Sequence, residues 1–205
     1  MGFFSDHSKK KIVILLGHPD SGATLSRELA EIYRDAAKAN GHQVKLFKLS
    51  DMEFDPILHK GYKKIQPLEP DLIKLQKAIN WCDHFVLIYP NWWSTMPALL
   101  KGLFDRMWLP GFAFGFYKTG ILGHFHVWKR MMGKKTARVF VLSGTQPLVI
   151  WLLFGDYTNE IKMGILWFAG FTTRLSRMGP TDHNPPEWLL NSWRRKAAKL
   201  GKLAE

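Results

Sequence analysis

Three short stretches carry residue types that could hold a ligand: Gly17-His18-Pro19-Asp20-Ser21-Gly22-Ala23-Thr24-Leu25-Ser26, Tyr89-Pro90-Asn91-Trp92-Trp93-Ser94-Thr95 and Ser143-Gly144-Thr145-Gln146-Pro147. In the first, the hydroxyls of Ser21, Thr24 and Ser26 stand beside the free N–H groups and dipole of a helix start, a combination that attracts phosphate-like anions. An ordinary turn capped by Thr24 explains the same residues, and His18 reads equally as a phosphate donor or a turn residue. The second stretch breaks a strand at a proline and presents two indoles, which are costly to leave in water and offer a wall to a planar ligand. The third combines small hydroxyl-bearing residues with a glycine, suited to close approach of backbone to a ring edge.

Each stretch follows an apolar run of the kind that forms a strand buried on both faces: residues 11–17, 84–89 and 136–142. Helical spacing predicts helices over 25–36 with a stop at Gly41, and over 72–81, 97–108, 160–168 and 188–203; shorter strands are expected at 44–49 and 171–178. Strands alternating with helices predict an α/β fold, a doubly wound five-stranded parallel sheet with helices on both faces and right-handed crossovers. The flavodoxin-like order 2-1-3-4-5 brings all three loops to one crevice at the carboxyl ends of the central strands, where such sheets bind flat cofactors. Residues 1–9 are expected to form a tail and residues 10–205 a single domain. Residues 110–135 and 147–159 exceed what the sheet requires, so they are expected to be functional or interfacial.

Composition narrows the classes. With 205 residues, 46% hydrophobic and 14% aromatic, the chain can build one substantial core. Its single cysteine, Cys82, excludes a disulfide framework and a zinc cluster and suits a reducing, cytoplasmic setting; the residue reads as a small buried side chain at a helix end. His124 and His126 lack neighbouring carboxylates or cysteines, and no metal is expected. The start lacks the apolar core of a signal peptide, and no run of about 18 apolar residues exists to span a membrane. The net charge of +12 suits a phosphate-bearing partner. The densest basic group, Arg194, Arg195, Lys196, Lys199 and Lys202, reads as a solvated helix face, and nucleic acid is not expected. The first loop has neither the lysine of a nucleotide-hydrolysing loop nor the G-x-G-x-x-G spacing of a dinucleotide fold. Asp20 reads as a turn or cap residue, and with no paired carboxylates or activated nucleophile in evidence, no catalytic residue is assigned.

Further blocks carry a family resemblance: Phe54-Asp55-Pro56, Pro97-Ala98-Leu99-Leu100-Lys101-Gly102 with Phe104-Asp105-Arg106, Gly111-Phe112-Ala113-Phe114, and the passage Lys162-Met163-Gly164 to Phe171. Together with the three loops, they make the chain resemble, from about residue 11 to at least residue 179, the flavodoxin-like NAD(P)H:quinone oxidoreductases. That group includes the DT-diaphorase type and the ancillary oxidoreductases of glutathione-gated potassium efflux systems. The resemblance implies that His18, Thr24, Leu25 and Ser26 lie along a flavin phosphate, that Pro90, Asn91, Trp92 and Trp93 border the isoalloxazine ring, and that Ser143, Gly144, Thr145 and Gln146 complete its edge. Phe114 and Phe116 fall where relatives place aromatic residues over the substrate cleft, with Trp151 near it. It further implies FMN, or FAD, as cofactor, with FMN favoured because no long tail follows Glu205. NADPH or NADH is the implied hydride donor and a quinone-like molecule the acceptor, with ping-pong use of one cleft and a homodimer. A rival reading is a redox-sensing regulatory subunit that docks on a membrane transporter, its basic last helix making a peripheral contact. Two departures stand out: Ser143-Gly144-Thr145-Gln146 replaces the usual double glycine, and the family's Tyr and His pair has no clear equivalent, Trp151 and Tyr157 lying near those positions.

Overall fold

A computed structural model of the chain describes residues 9–117, 127–182 and 184–205. Its elements are β1 (Lys11–Leu16), α1 (Leu25–Ala39), β2 (Gln43–Lys48), α2 (Pro70–Trp81), β3 (His84–Asn91), α3 (Ala98–Met107), β4 (Phe114–Phe116), β5 (Trp128–Arg130), β6 (Thr136–Ser143), α4 (Pro147–Phe154), a π-helix (Glu160–Trp167), β7 (Thr172–Met178) and α5 (Glu187–Leu203). Five strands form one sheet in the order β2-β1-β3-β6-β7, every pairing parallel. This is the expected 2-1-3-4-5 order, because the short antiparallel pair β4–β5 stands apart from the main sheet.

Side-chain alternation explains why the central strands β1, β3 and β6 are largely apolar on both faces. Val13, Leu15, Phe85, Leu87, Val139 and Val141 pack into a layer with α2, α3 and the π-helix. Their neighbours Ile12, Ile14, Val86, Ile88, Phe140 and Leu142 pack on the other face with α1 and α5. A strand sandwiched in this way has no polar face to spare. Cys82, fully buried at the C-cap of α2, fills a gap in the first layer.

Two motif blocks prove to be packing devices. A Cβ on Gly102 would lie 2.5 Å from Pro56 Cβ and 2.6 Å from its carbonyl oxygen, so α3 seats directly on the 54–56 turn. One helical turn on, Arg106 is 1% exposed, and its guanidinium donates to the carbonyls of Asp55 and Pro67 and to Glu69 Oε2 at 3.0 Å. A buried cation demands acceptors, and although its Nε stays unpaired, these bonds pin the long 49–69 connection to α3.

Three elements differ from expectation. Residues 110–135 contain β4 and β5, and residues 147–159 begin with the helix α4. The expected helix over 160–168 is a π-helix, the wider form that recurs at functional sites. The expected tail, residues 1–9, lies outside the described residues except for Lys9, and so do His124 and His126.

Candidate functional site

The carboxyl ends of β1, β3 and β6 lie side by side. In register, Leu16 pairs with Ile88, while Pro90 and Asn91 pair with Leu142 and Ser143. Because β1 stops at Leu16, the missing N–H of Pro90 leaves no gap in the β1 ladder, and β3 runs three residues past its neighbour into the crevice. At that end Asn91 Oδ1 and Ser143 Oγ are buried with no hydrogen-bond partner among the described residues. Two polar atoms without a formed bond at the end of a central strand pair are free to bond a ligand there.

The loop after β1 is braced from within. The Asp20 N–H donates to His18 Nδ1 at 3.1 Å, which places the imidazole proton on Nε2. Gly22 N–H donates to Asp20 Oδ1 at 2.7 Å, so Asp20 is a turn residue. Partial burial holds the His18 pKa below its usual value, against the upward pull of the Asp20 carboxylate, and the ring stays a neutral donor at pH 7. Thr24 caps α1 by accepting from Arg27 N at 3.2 Å. That spends its oxygen as an acceptor and leaves the first-turn N–H groups of Leu25 and Ser26 without an acceptor among the described residues. The Leu25 side chain packs on the α1 core layer and Ser26 is buried, so it is their backbone that can face an anion. Arg27 Nε is also buried and unpaired.

After β3 the chain makes a tight turn in which Trp92 N bonds Thr95 O at 2.9 Å and Thr95 N bonds Trp92 O at 3.1 Å. Its two central residues, Trp93 and Ser94, have φ of 52° and 62°. Such turns favour Asn-Gly, and a left-handed conformation costs other residues about 1–2 kcal/mol each. The strained turn holds the Trp93 indole 99% exposed, and Trp92 sets its ring edge-on to His18, with centroids 5.9 Å apart. Thr95 Oγ1 donates to Glu160 on the π-helix, anchoring the turn.

The third loop is held from behind by the segment after β7: Thr181 N donates to Ser143 O at 2.9 Å, and a Cβ on Gly144 would run into the Asp182 carboxylate. The requirement for glycine at 144 therefore comes from Asp182. Thr145 and Gln146 are exposed, and Gln146 starts α4. Tyr157, 6% exposed, buries a hydroxyl with no formed hydrogen bond; burial raises its pKa, although proximity to Ser143 pulls it back down. Arg177 sits over the Tyr157 ring and donates to Asp156 and Thr158.

The three aromatic residues expected at the acceptor cleft are not in one place. Phe114 and Phe116 pack edge to face, 5.5 Å apart, and line a cavity of about 660 Å3 with Leu58, Tyr62, Arg106 and Pro110. Tyr62 and Phe114 also line a smaller cavity of about 300 Å3 that reaches Glu160, the anchor of the Trp92–Thr95 turn. Trp151 lies on α4 and is 53% exposed. Arg27, Glu160 and Asp182 had no sequence signal, since each acts through a contact across elements. No group of three His, Cys, Asp or Glu among the described residues could hold a metal ion.

A family model described as flavodoxin-like fold matches residues 10–174. A Haemophilus influenzae protein named an uncharacterized NAD(P)H oxidoreductase is 33% identical over 112 residues, which are 52% of this chain and 53% of that relative, so the match spans about half of each. The guinea pig (Cavia porcellus) NAD(P)H dehydrogenase [quinone] 1 is 23% identical over 93% of this chain and 77% of its own length. Among solved structures, the NAD(P)H:quinone oxidoreductase from Methanothermobacter marburgensis superposes with a TM-score of 0.78 at 23% identity, over 97% of this chain and all of that one. An FMN-dependent NADH-azoreductase from Bacillus anthracis, solved in complex with FMN, superposes with a TM-score of 0.69 at 16% identity, over 94% and 97% of the two chains.

Proposed function

Since the chain belongs to the flavodoxin-like fold family, we propose that it is a flavin-dependent NAD(P)H oxidoreductase that reduces quinones or similar flat acceptors, with FMN as the resident flavin. The carrying observation is the convergence at one sheet edge of an anion cradle, an exposed indole on a strained turn and the unpaired polar atoms Asn91 Oδ1 and Ser143 Oγ. These residues fit FMN: the cradle is built for a phosphate, and the wall for a ring.

In this reading His18 Nε2–H and the N–H groups of Leu25 and Ser26 bind the phosphate, while Thr24 fixes the helix end that presents them. Trp93 covers one ring face, with Pro90, Asn91 and Trp92 along its border. Ser143, Gly144, Thr145 and Gln146 close the far edge, where Asn91 and Ser143 orient the ring through hydrogen bonds they otherwise lack. A bound flavin supplies the relay of hydride from NADH or NADPH to the acceptor. The chain supplies order, dryness and a proton: the Tyr157 O–H, kept protonated by burial, stands beside Ser143 as a donor. Phe114 and Phe116 are the aromatic side of the acceptor's approach through the cavity that leads to Glu160.

The same reading makes the protein a cytoplasmic homodimer. Among the eight residues of α4 only Ile150 is buried, and Leu148, Trp151, Leu152, Leu153 and Phe154 are each more than half exposed. A second copy covering this helix removes the cost of that surface. No helix among the described residues is long and apolar enough to cross a membrane. The transporter-docking alternative gains no observation of its own, since Arg194 on the basic last helix is engaged by Glu28 and Glu187 within the fold.

Steady-state oxidation of NADH or NADPH with a quinone tests the proposal. Both substrates using one cleft in turn gives parallel double-reciprocal lines; intersecting lines contradict the shared cleft, and absence of turnover contradicts the enzyme.

A further inference from the structure

The amino ends of the strands, opposite the flavin crevice, hold a second set of unsatisfied groups. His84 begins β3, and it ends up beside Thr136 of β6, which in turn pairs with Thr172 of β7. With Lys10, Arg174 and Glu205 these residues line a cavity of about 170 Å3. His84 and Asn91 end the same strand, so the cavity lies ~23 Å from the crevice, seven steps of about 3.3 Å.

The polar inventory here does not close. His84 is 1% exposed; its Nδ1 meets Thr136 Oγ1 at 2.7 Å, and its Nε2 is buried without a partner. Arg138 lies next to Arg174 in register, on the face that carries Phe140 and packs against α1 and α5. It is 7% exposed, its Nε is unpaired, and its guanidinium has no hydrogen-bond acceptor among the described residues. Lys10 Nζ reaches only the carbonyl of Ala204, at 3.3 Å. One carboxylate, Glu205, serves this group, and it is held by Arg174 at 3.1 Å. Thus Lys10 and Arg174 line the cavity, Arg138 lies behind them, and the Glu205 side chain is the one acidic side chain lining it among the described residues.

Arg106 provides the internal comparison. It too is buried and its Nε is unpaired, but both of its terminal nitrogens are bonded, to Glu69 and to two carbonyls. Arg138 has no counterpart to those terminal bonds among the described residues, which leaves its charge open to a partner of opposite sign.

We propose that the amino-edge cavity between His84, Thr136, Lys10 and Arg174, with Arg138 at its back, binds a small tetrahedral oxyanion of the phosphate class. The His84 Nε2–H and the Lys10 and Arg174 side chains, which line the cavity, donate to it, and the charge of Arg138 behind them adds to the attraction. The site is separate from the flavin cradle and does not depend on the flavin reading. An anion there ties the starts of β1, β3, β6 and β7 together, and so stabilises the sheet from the end remote from the crevice.

The test is thermal melting with inorganic phosphate at constant ionic strength, chloride making up the balance, and excess FMN present to fill the cradle between His18 and Ser26. The wild-type protein should show a saturable rise of about 3 °C in its midpoint. Sulfate should reproduce the rise, and acetate should not. Arg138→Gln should weaken it at least threefold in phosphate concentration while melting in chloride no lower than the wild type, because a buried charge without an acceptor has been removed. Arg174→Gln, on an exposed side chain, should weaken it at least tenfold in phosphate concentration, and it decides the matter if Arg138→Gln does not fold. A rise that persists undiminished in the variants, or one that chloride or acetate matches, overturns the proposal.

Discussion

Replacing Trp93 by alanine separates a ligand wall from a core residue. The indole is 99% exposed and its φ of 52° is a property of the turn, which alanine retains, so the flavin-free protein should lose no more than about 0.5 kcal/mol of stability. In the complex the outcome is different. A tryptophan can bury 150–250 Å2, and one face laid on a ring accounts for roughly 100 Å2 of it; at about 25 cal/mol per Å2 this is ~2.5 kcal/mol. FMN affinity should therefore fall about 60-fold. Urea melts of the flavin-free protein give the first quantity, and a titration that follows quenching of flavin fluorescence gives the second. A large loss of stability in the flavin-free variant would mean that Trp93 supports the fold. An FMN affinity within about threefold of the wild type would mean that the strained turn does not serve the ring, and the crevice assignment would fail.

Gly102→Ala should destabilise the protein by about 1–3 kcal/mol, although alanine favours a helix, because the new methyl group meets the Pro56 backbone at 2.6 Å; a higher denaturation midpoint would show that the turn over 54–56 is free to move. Glu69→Gln removes the only carboxylate on buried Arg106 and should cost about 2 kcal/mol, discounted from the value for a fully buried pair because the Glu69 side chain is 28% exposed. Burial pushes the Glu69 pKa up, but hydrogen bonds from Arg106 and from backbone N–H groups bring it below the usual carboxylate value. Its contribution is therefore complete above about pH 4.3, the unfolded value, and is lost as pH falls through the lower folded value. Acid titrations of stability should show the wild type and Glu69→Gln converging below that range, and parallel curves would contradict the ion-pair account.

The sheet was legible because burial on both faces forces continuous apolar runs, and the runs at β1, β3 and β6 carry no competing signal. Strand ends were less so: β3 continues through Pro90 and Asn91, since only the retreat of β1 at Leu16 makes a proline tolerable there. The segment 147–159 gave no period, and α4 shows why: a helix that is apolar on every side has no amphipathic stripe to detect. Among site residues, the cradle could be read from its loop, because a capped helix start is local. The cap role of Thr24 and the cradle turn out to be compatible, since Thr24 accepts while Leu25 and Ser26 retain their N–H groups. At Gly144 the structure adds a constraint that the loop sequence does not carry, because Asp182, 38 positions away, would meet a Cβ there. The buried Tyr157 and Arg138 gain their meaning from partners they lack, which only coordinates reveal.

Titration of the purified protein with FMN, followed by visible absorption and flavin fluorescence, bears most directly on the central claim. The account predicts saturable binding of one flavin per chain, with shifted visible bands and quenched emission as Trp93 covers the ring. A protein that is colourless as purified and leaves the FMN spectrum unchanged at every concentration would contradict it.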